Sequence, residues 1–493
     1  MQTLSGIDLA VVLLVIAAIS YGGYRLSGQI QDRNGFFQGG QDLPWWVVAA
    51  SIIATVVSAV TFVSVPAAVF APGGNLTYLQ VILGLALGKF VVARLLARPF
   101  YASTGVSTSY AYIGHRIDRS SGEASMLLGL ILNIINASVK LLTASLVLDV
   151  ASGWGLAYCA AFVVAISLLW GAMAGIKAVI WTDFLLFVIF ACGALLLLIL
   201  MLLNIERPLW DALMTLDARA KLVLFDFSVD PTKKYTLWSG VIGAVALSVA
   251  QGSTQGTWQR VRACRSAREA KLAFDVAGMF YVFHLLILAV GVALTAFYLD
   301  HPLPAQVLED LRGAPDRILP YFIVTEVPVG LSGLFVAAII AAAISTLDSV
   351  LAESADLSVN HIYVRLVGGR SEAHYLTASR CMMAFWALLF YGLALFFNRF
   401  SGEGLLDLTF KLPNYVYGGI FACIVLARFG IGRFPTILLG FAVASACVAL
   451  LATYNIAFFY WCPVSGVAMI AVVWALDPKR PDWDGVVKVA HSS

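Results

Sequence analysis

Thirteen stretches of mainly apolar residues, each about 20 long or more, follow one another along this chain, and no other feature restricts its fold so strongly. A helix rising 1.5 Å per residue needs roughly 20 such residues to cross about 30 Å of hydrocarbon. The candidate spans are 7–26, 44–70, 76–98, 124–151, 154–174, 176–203, 236–256, 272–299, 329–357, 375–397, 404–427, 434–454 and 457–476. Composition demands a lipid solvent for them. Of all residues 61% are hydrophobic and 12% charged, where soluble chains have roughly 45–50% and 25%. These figures exclude a water-soluble enzyme and a disordered chain. The net charge of +3, with no long basic run, excludes a nucleic-acid binder. The fold class is therefore an all-α integral membrane protein, with the lipid bilayer as its first partner.

The first span carries Asp8 instead of a basic start and has no small-residue cleavage site, so it is expected to be retained. The seven cysteines form no CxxC pair and the histidines are scattered, which points to small hydrophobes and not to disulfides or zinc. Lysine and arginine set the orientation. With the N-terminus outside, 20 of them fall at cytoplasmic ends and loops and 8 outside, with Lys89, Lys140 and Lys411 inside spans. The cytoplasmic group includes Arg260, Arg262, Arg265, Arg268 and Lys271. Thirteen spans, N-terminus out and C-terminus in, is the expected topology.

Polar or interrupted stretches inside a span mark backbone that lines a cavity, because unpaired peptide groups cannot face lipid. Four occur: 51–66 (SIIATVVSAVTFVSVP), 248–260 (SVAQGSTQGTWQR), 341–349 (AAAISTLDS) and Asp183 in WTDFLLFVIF. Small and hydroxylated residues also serve ordinary helix packing, and Asp183 could instead sit at a solvated helix end. Two broken spans, each opening a block of five, are a stronger pointer to an inverted-repeat transporter with its site at mid-membrane. A Na+ coupling ion wants five or six oxygens, supplied by unwound carbonyls and hydroxyls. Ala342, Ser345, Thr346 and Ser349 recur at i, i+3, i+4 and i+7 and share one helix face. A first site could join carbonyls of the first break to the 345 and 346 hydroxyls. A second, near Ser345 and Ser349, would draw its charge from Asp183.

GSTQGTWQR followed by ACRSAREAK resembles the signature of the sodium:solute symporter family, and AAAISTLDS, SIIATVVSA and WTD resemble its sodium-site helix, broken first core helix and acidic fifth helix. The likeness runs over 44–427. It implies a LeuT-like 5+5 inverted-repeat bundle, with a leading helix at 7–26, repeats at 44–203 and 236–427, two extra helices at 434–476 and a cytoplasmic tail at 477–493. It implies no enzyme activity, one or two coupling Na+ ions, a small-molecule solute, a cell-membrane location and function as a monomer. The family's first Na+ site maps onto Ala54, Val57, Ala342, Ser345 and Thr346. The second maps onto Asp183, Ser345, Asp348 and Ser349, with Asp348 equally able to face the cytoplasmic exit. Substrate positions map onto Ser58, Thr61, Thr77, Gln80, Asn136, Thr254, Gln255, Tyr281 and Asn414.

The departures bear on the solute. Thr254 stands where the family often has Asp or Asn, Gly256 replaces a frequent bulky gate, and Asn136 takes the place of a carboxylate-binding Arg in the sialic acid branch. Lys140 lies one turn on, in a polar stripe with Asn133, Asn136 and Thr143. It either helps an anionic solute or merely snorkels or pairs with a carboxylate. The expected activity is Na+-coupled symport of a small polar or anionic solute by alternating access. The competing expectations are a proton-coupled carrier cycling Asp183 or Asp348 and a transporter-like sensor acting with a separate partner, since the residues after the last span are too few for a kinase.

Overall fold

A computed structural model of the chain describes residues 4–27, 41–56, 58–399, 405–478 and 481–487, and these are almost entirely helical. The helices that build the site are α1 (Gly6–Ser27), α2 (Trp45–Val56), α3 (Ala59–Phe70), α4 (Leu79–Leu95), α5 (Arg119–Ser152), α6 (Leu156–Leu203), α7 (Ala244–Gln251) and α8 (Gln255–Ala263). They continue with α9 (Ala267–Phe280), α10 (Phe283–Asp300), α11 (Leu331–Ser358), α12 (Glu372–Phe397), α13 (Leu405–Phe429), α14 (Phe434–Thr453) and α15 (Trp461–Leu476). Among the described residues, eight helices are long and apolar enough to cross a membrane, or nine if α2 and α3 count as one bent span. The stretches 154–174 and 176–203, expected as two helices, form one helical run of 48 residues. Nothing in their sequence stops a helix between them: the junction, AGIK, has no proline and carries a single glycine.

Helix α11 is the axis of the bundle. In its most apolar stretch 94% of residues are buried, against 28% for α12 and α14, whose remaining faces are left for lipid. Alanines at 337, 338 and 341–343 keep α11 thin, and α6, α5 and α1 pack against it. Asp8 has a structural explanation. Its carboxylate accepts from the backbone N–H of Gly330 (2.6 Å) and Gly333 (3.0 Å) and from Ser332 Oγ (2.7 Å), so α1 caps the start of α11. Glycines serve close approach elsewhere. A Cβ at Gly84 would lie 2.5 Å from Val241 O and one at Gly88 2.3 Å from Ser248 Cβ, so this pair brings α4 onto the span ending in α7.

Both expected breaks are present. The axes of α2 and α3 differ by 53°, and Ser58 is extended at the start of α3 (φ −104°, ψ 177°). The carbonyls freed at the end of α2 find donors: Thr61 Oγ1 reaches Val56 O (3.3 Å) and Lys140 Nζ reaches Thr55 O (3.1 Å). At the other break α7 ends at Gln251 and α8 begins at Gln255, with Thr254 extended. Gln251 O accepts from the hydroxyls of Thr254 (2.9 Å) and Thr257 (3.0 Å). Gly252 fits because a Cβ there would meet Val92 Cγ2 at 2.5 Å. Side chains thus satisfy each interrupted backbone from within the protein, as the membrane interior requires.

Candidate functional site

The two breaks face one central cavity of about 140 Å³, enclosed by α2, α3, α4, α5, the α7–α8 break, α10, α11 and α13. Of the predicted substrate residues it is lined by Ser58, Thr61, Asn136, Lys140 and Thr254. The others stand outside its lining. Gln255 bridges Ser109 N (2.9 Å) and Asp356 Oδ2 (2.7 Å). Gln80 donates to Tyr235 O (2.8 Å), Thr77 bonds Asn75 Oδ1 (2.7 Å), and Asn414 donates to Phe410 O (2.8 Å). Tyr281 is buried behind His284, the two rings stacked 5.0 Å apart, and it is His284 that reaches the cavity. A family position carries no information about the rotamer: Thr77, Gln255 and the amide nitrogens of Gln80 and Asn414 bond within the scaffold, while Tyr281 Oη, Gln80 Oε1 and Asn414 Oδ1 are buried without a hydrogen-bond partner.

Beside the cavity lies the hydroxyl face of α11. Ala54, Ala342 and Ser345 surround a void of about 10 Å³ together with Leu186, Phe187 and Phe190, space of the order needed for a single water-sized particle. Thr346 Oγ1 donates to Ala342 O (3.0 Å), which keeps its own oxygen on the same face. Val57 lies outside the described residues. Four of the five predicted first-site residues are therefore neighbours, in an arrangement that can offer carbonyl and hydroxyl oxygens to a small hard cation.

The second predicted cluster is also assembled, and it contains a residue that the sequence assigned elsewhere. Asp183 is buried, so the solvated-end alternative fails. It accepts from Ser345 Oγ, from Ser51 Oγ (2.5 Å) and from Arg260 Nη2 (3.0 Å). Arg260, counted above with the cytoplasmic charges, is itself buried. It further bonds Ser51 Oγ (2.9 Å), Gly256 O (3.1 Å) and Ser349 Oγ (3.5 Å). A buried guanidinium and a buried carboxylate in contact are a neutralised pair. As the sixth residue of α8, Arg260 carries its guanidinium back to the break, which a loop assignment from sequence hides. Asp348 is buried too, faces Gly171 of α6, and leaves Oδ1 without a hydrogen-bond partner. The polar stripe of α5 divides: Asn133, Asn136 and Lys140 line the cavity, while Thr143 bonds Val139 O (3.0 Å) and borders a separate pocket. Lys89 and Glu353, neither singled out by the sequence, complete the charged lining.

The model of the sodium:solute symporter family matches residues 36–431. The chain belongs to that family. Sodium-coupled monocarboxylate transporter 2 of Bos taurus is 27% identical over 321 residues, covering 63% of this chain and 50% of that protein. The sodium/iodide cotransporter of Homo sapiens is 26% identical over 431 residues, covering 85% and 65%. This chain thus spans between half and two thirds of the length of these relatives. Among solved structures, a Na+-coupled sialic acid symporter in a substrate-bound outward-open state superposes with a TM-score of 0.81 at 22% identity, covering 95% of this chain and 96% of that one. The fold is that of LeuT-like transporters, and the protein is a multi-pass membrane protein. The family is one of sodium-coupled carriers and not of enzymes.

Proposed function

We propose that this symporter-family chain carries a small anionic organic solute into the cell together with Na+, by alternating access. The observation that carries the reading is one arrangement: a water-sized void edged by Ala54, Ala342 and Ser345, beside a solute-sized cavity into which both broken helices open. Na+ held by the carbonyls of Ala54, Val57 and Ala342 and the hydroxyls of Ser345 and Thr346 ties α2 to α11. That link favours the conformation in which solute binds, and by reciprocity solute favours Na+. One charge moving through 100 mV adds about 2.3 kcal/mol to the gradient as driving force.

The anionic class is supported by Lys140 in the cavity wall and by relatives whose names give monocarboxylate and iodide as cargo. One coupling ion is the stoichiometry we favour. The second site, built on Asp183, Ser345, Ser349 and Asp348, has the Arg260 guanidinium where a cation would sit. The further reading is an N-terminus outside and a C-terminus inside, repeats at 44–203 and 236–427, a plasma or inner membrane location, and a working monomer.

Uptake into proteoliposomes driven by an imposed Na+ gradient tests it. Ser345→Ala with Thr346→Ala is expected to abolish Na+-dependent uptake of carboxylate solutes while the protein still purifies as a folded species. Uptake that persists with unchanged Na+ dependence would exclude the assignment.

A further inference from the structure

Glu353 and Gly256 meet across the cavity wall. Glu353 projects from α11 to the cavity and is 6% exposed, and its Oε1 has no hydrogen-bond partner. Its carboxylate rests over the first turn of α8, where the side chain of Asn133 and the amides of Gly256 and Gln255 act on it. A helix N-terminus favours a negative charge there. Gly256 makes the position possible, since a Cβ on it would lie 2.9 Å from Glu353 Oε2. The space of the bulky gate expected at 256 is thus occupied by a fixed carboxylate from another helix. A buried carboxylate oxygen without a donor is a strong demand for one.

Charge and size narrow the donor. Arg260 is matched by Asp183, which leaves Lys89 and Lys140 against Glu353 in the lining. Two ammonium groups and one carboxylate are balanced by a solute with one negative charge, so the group meeting Glu353 is a neutral donor and not a second cation. A cavity of about 140 Å³ compares with the roughly 150 Å³ that holds benzene in a well-studied case. It accommodates about six heavy atoms, far fewer than a sialic acid has. We propose that Glu353 is a specificity-determining residue: Lys140 holds the solute carboxylate, Glu353 Oε1 accepts a hydroxyl donated by the same solute, and the pocket thereby selects short hydroxycarboxylates. This rests on the reading of the cavity as the solute site.

The test uses the full chain in proteoliposomes with a Na+ gradient and four probes: lactate, propionate, alanine and N-acetylneuraminate. Lactate is expected to be taken up with a KM about 10- to 100-fold below that of propionate, the discrimination of one hydrogen bond to a charged group. Glu353→Ala should raise the lactate KM to the propionate value and leave propionate unchanged. Gly256→Ala, which displaces the carboxylate without removing it, should move lactate in the same direction. Lys140→Gln should weaken lactate and propionate alike. Equal handling of lactate and propionate by the wild type, or equal loss of both in Glu353→Ala, overturns the role of Glu353 while leaving the anion reading intact. Preference for alanine or N-acetylneuraminate overturns the proposed class. Absence of Na+-driven uptake of both carboxylates overturns the anion reading itself and the role of Glu353 with it.

Discussion

At the scale of single residues, the site is governed by how buried charges are matched. Asp183 and Arg260 come from helices far apart in sequence and meet at 3.0 Å with both side chains nearly inaccessible. Such a pair contributes little against an apolar replacement, yet losing one member strands the other. Asp183→Asn is therefore expected to lower stability by about 3–5 kcal/mol. Asp183→Asn combined with Arg260→Met should recover a large part of that loss in a thermal-unfolding comparison. Additive losses would mean that the two groups do not act as a pair. The sequence flagged Asp183, because a carboxylate amid apolar residues is conspicuous. It could not flag Arg260, whose surroundings in the chain are basic and polar like any loop. Glu353 escaped for a similar reason, lying in the polar run ESADLS, where it reads as the exposed end of a helix.

At the scale of elements, helix existence followed from local pattern and helix ends did not. Apolar stretches of about 20 residues must be helical in lipid, because no other local structure satisfies their backbone. Thus every predicted span is helical over most of its length, and both breaks fall at their Ser, Thr and Gly clusters. Part of what satisfies the helix ends comes from distant segments: Lys140 of α5 for Thr55 O at the first break, and Lys221 for Val69 O (2.7 Å) and Phe70 O (3.1 Å) at the end of α3. The glycine pair of α4 makes a prediction at this scale. Gly88→Ala would set a Cβ 2.3 Å from Ser248 Cβ and is expected to cost about 1–3 kcal/mol by overpacking. Gly392→Ala on α12, with nothing within 4 Å, should be neutral or stabilising by up to about 1 kcal/mol. Melting temperatures of the two variants in one detergent decide it.

At the scale of the whole molecule, binding and stability are linked. A ligand of the folded state adds about 2.7 kcal/mol at one hundred times its dissociation constant. Replacing choline by Na+ at constant ionic strength is expected to raise the melting temperature. The rise should vanish in the Ser345→Ala, Thr346→Ala variant. A rise of equal size in both would place the ion elsewhere. The sequence by itself determined that the chain is a helical membrane protein, where its two interruptions fall, and which hydroxyl face of α11 could serve a cation. Those properties depend on composition and on periodicity within one segment. Only the tertiary structure decided that Arg260 neutralises Asp183, that Gln80, Gln255 and Asn414 stand outside the cavity lining, and that Lys89, Lys140 and Glu353 line one cavity. These depend on which side chains from distant segments share a volume from which water and lipid are excluded. In that volume, an unmatched charge or an idle hydrogen-bonding atom is costly enough to fix its partner.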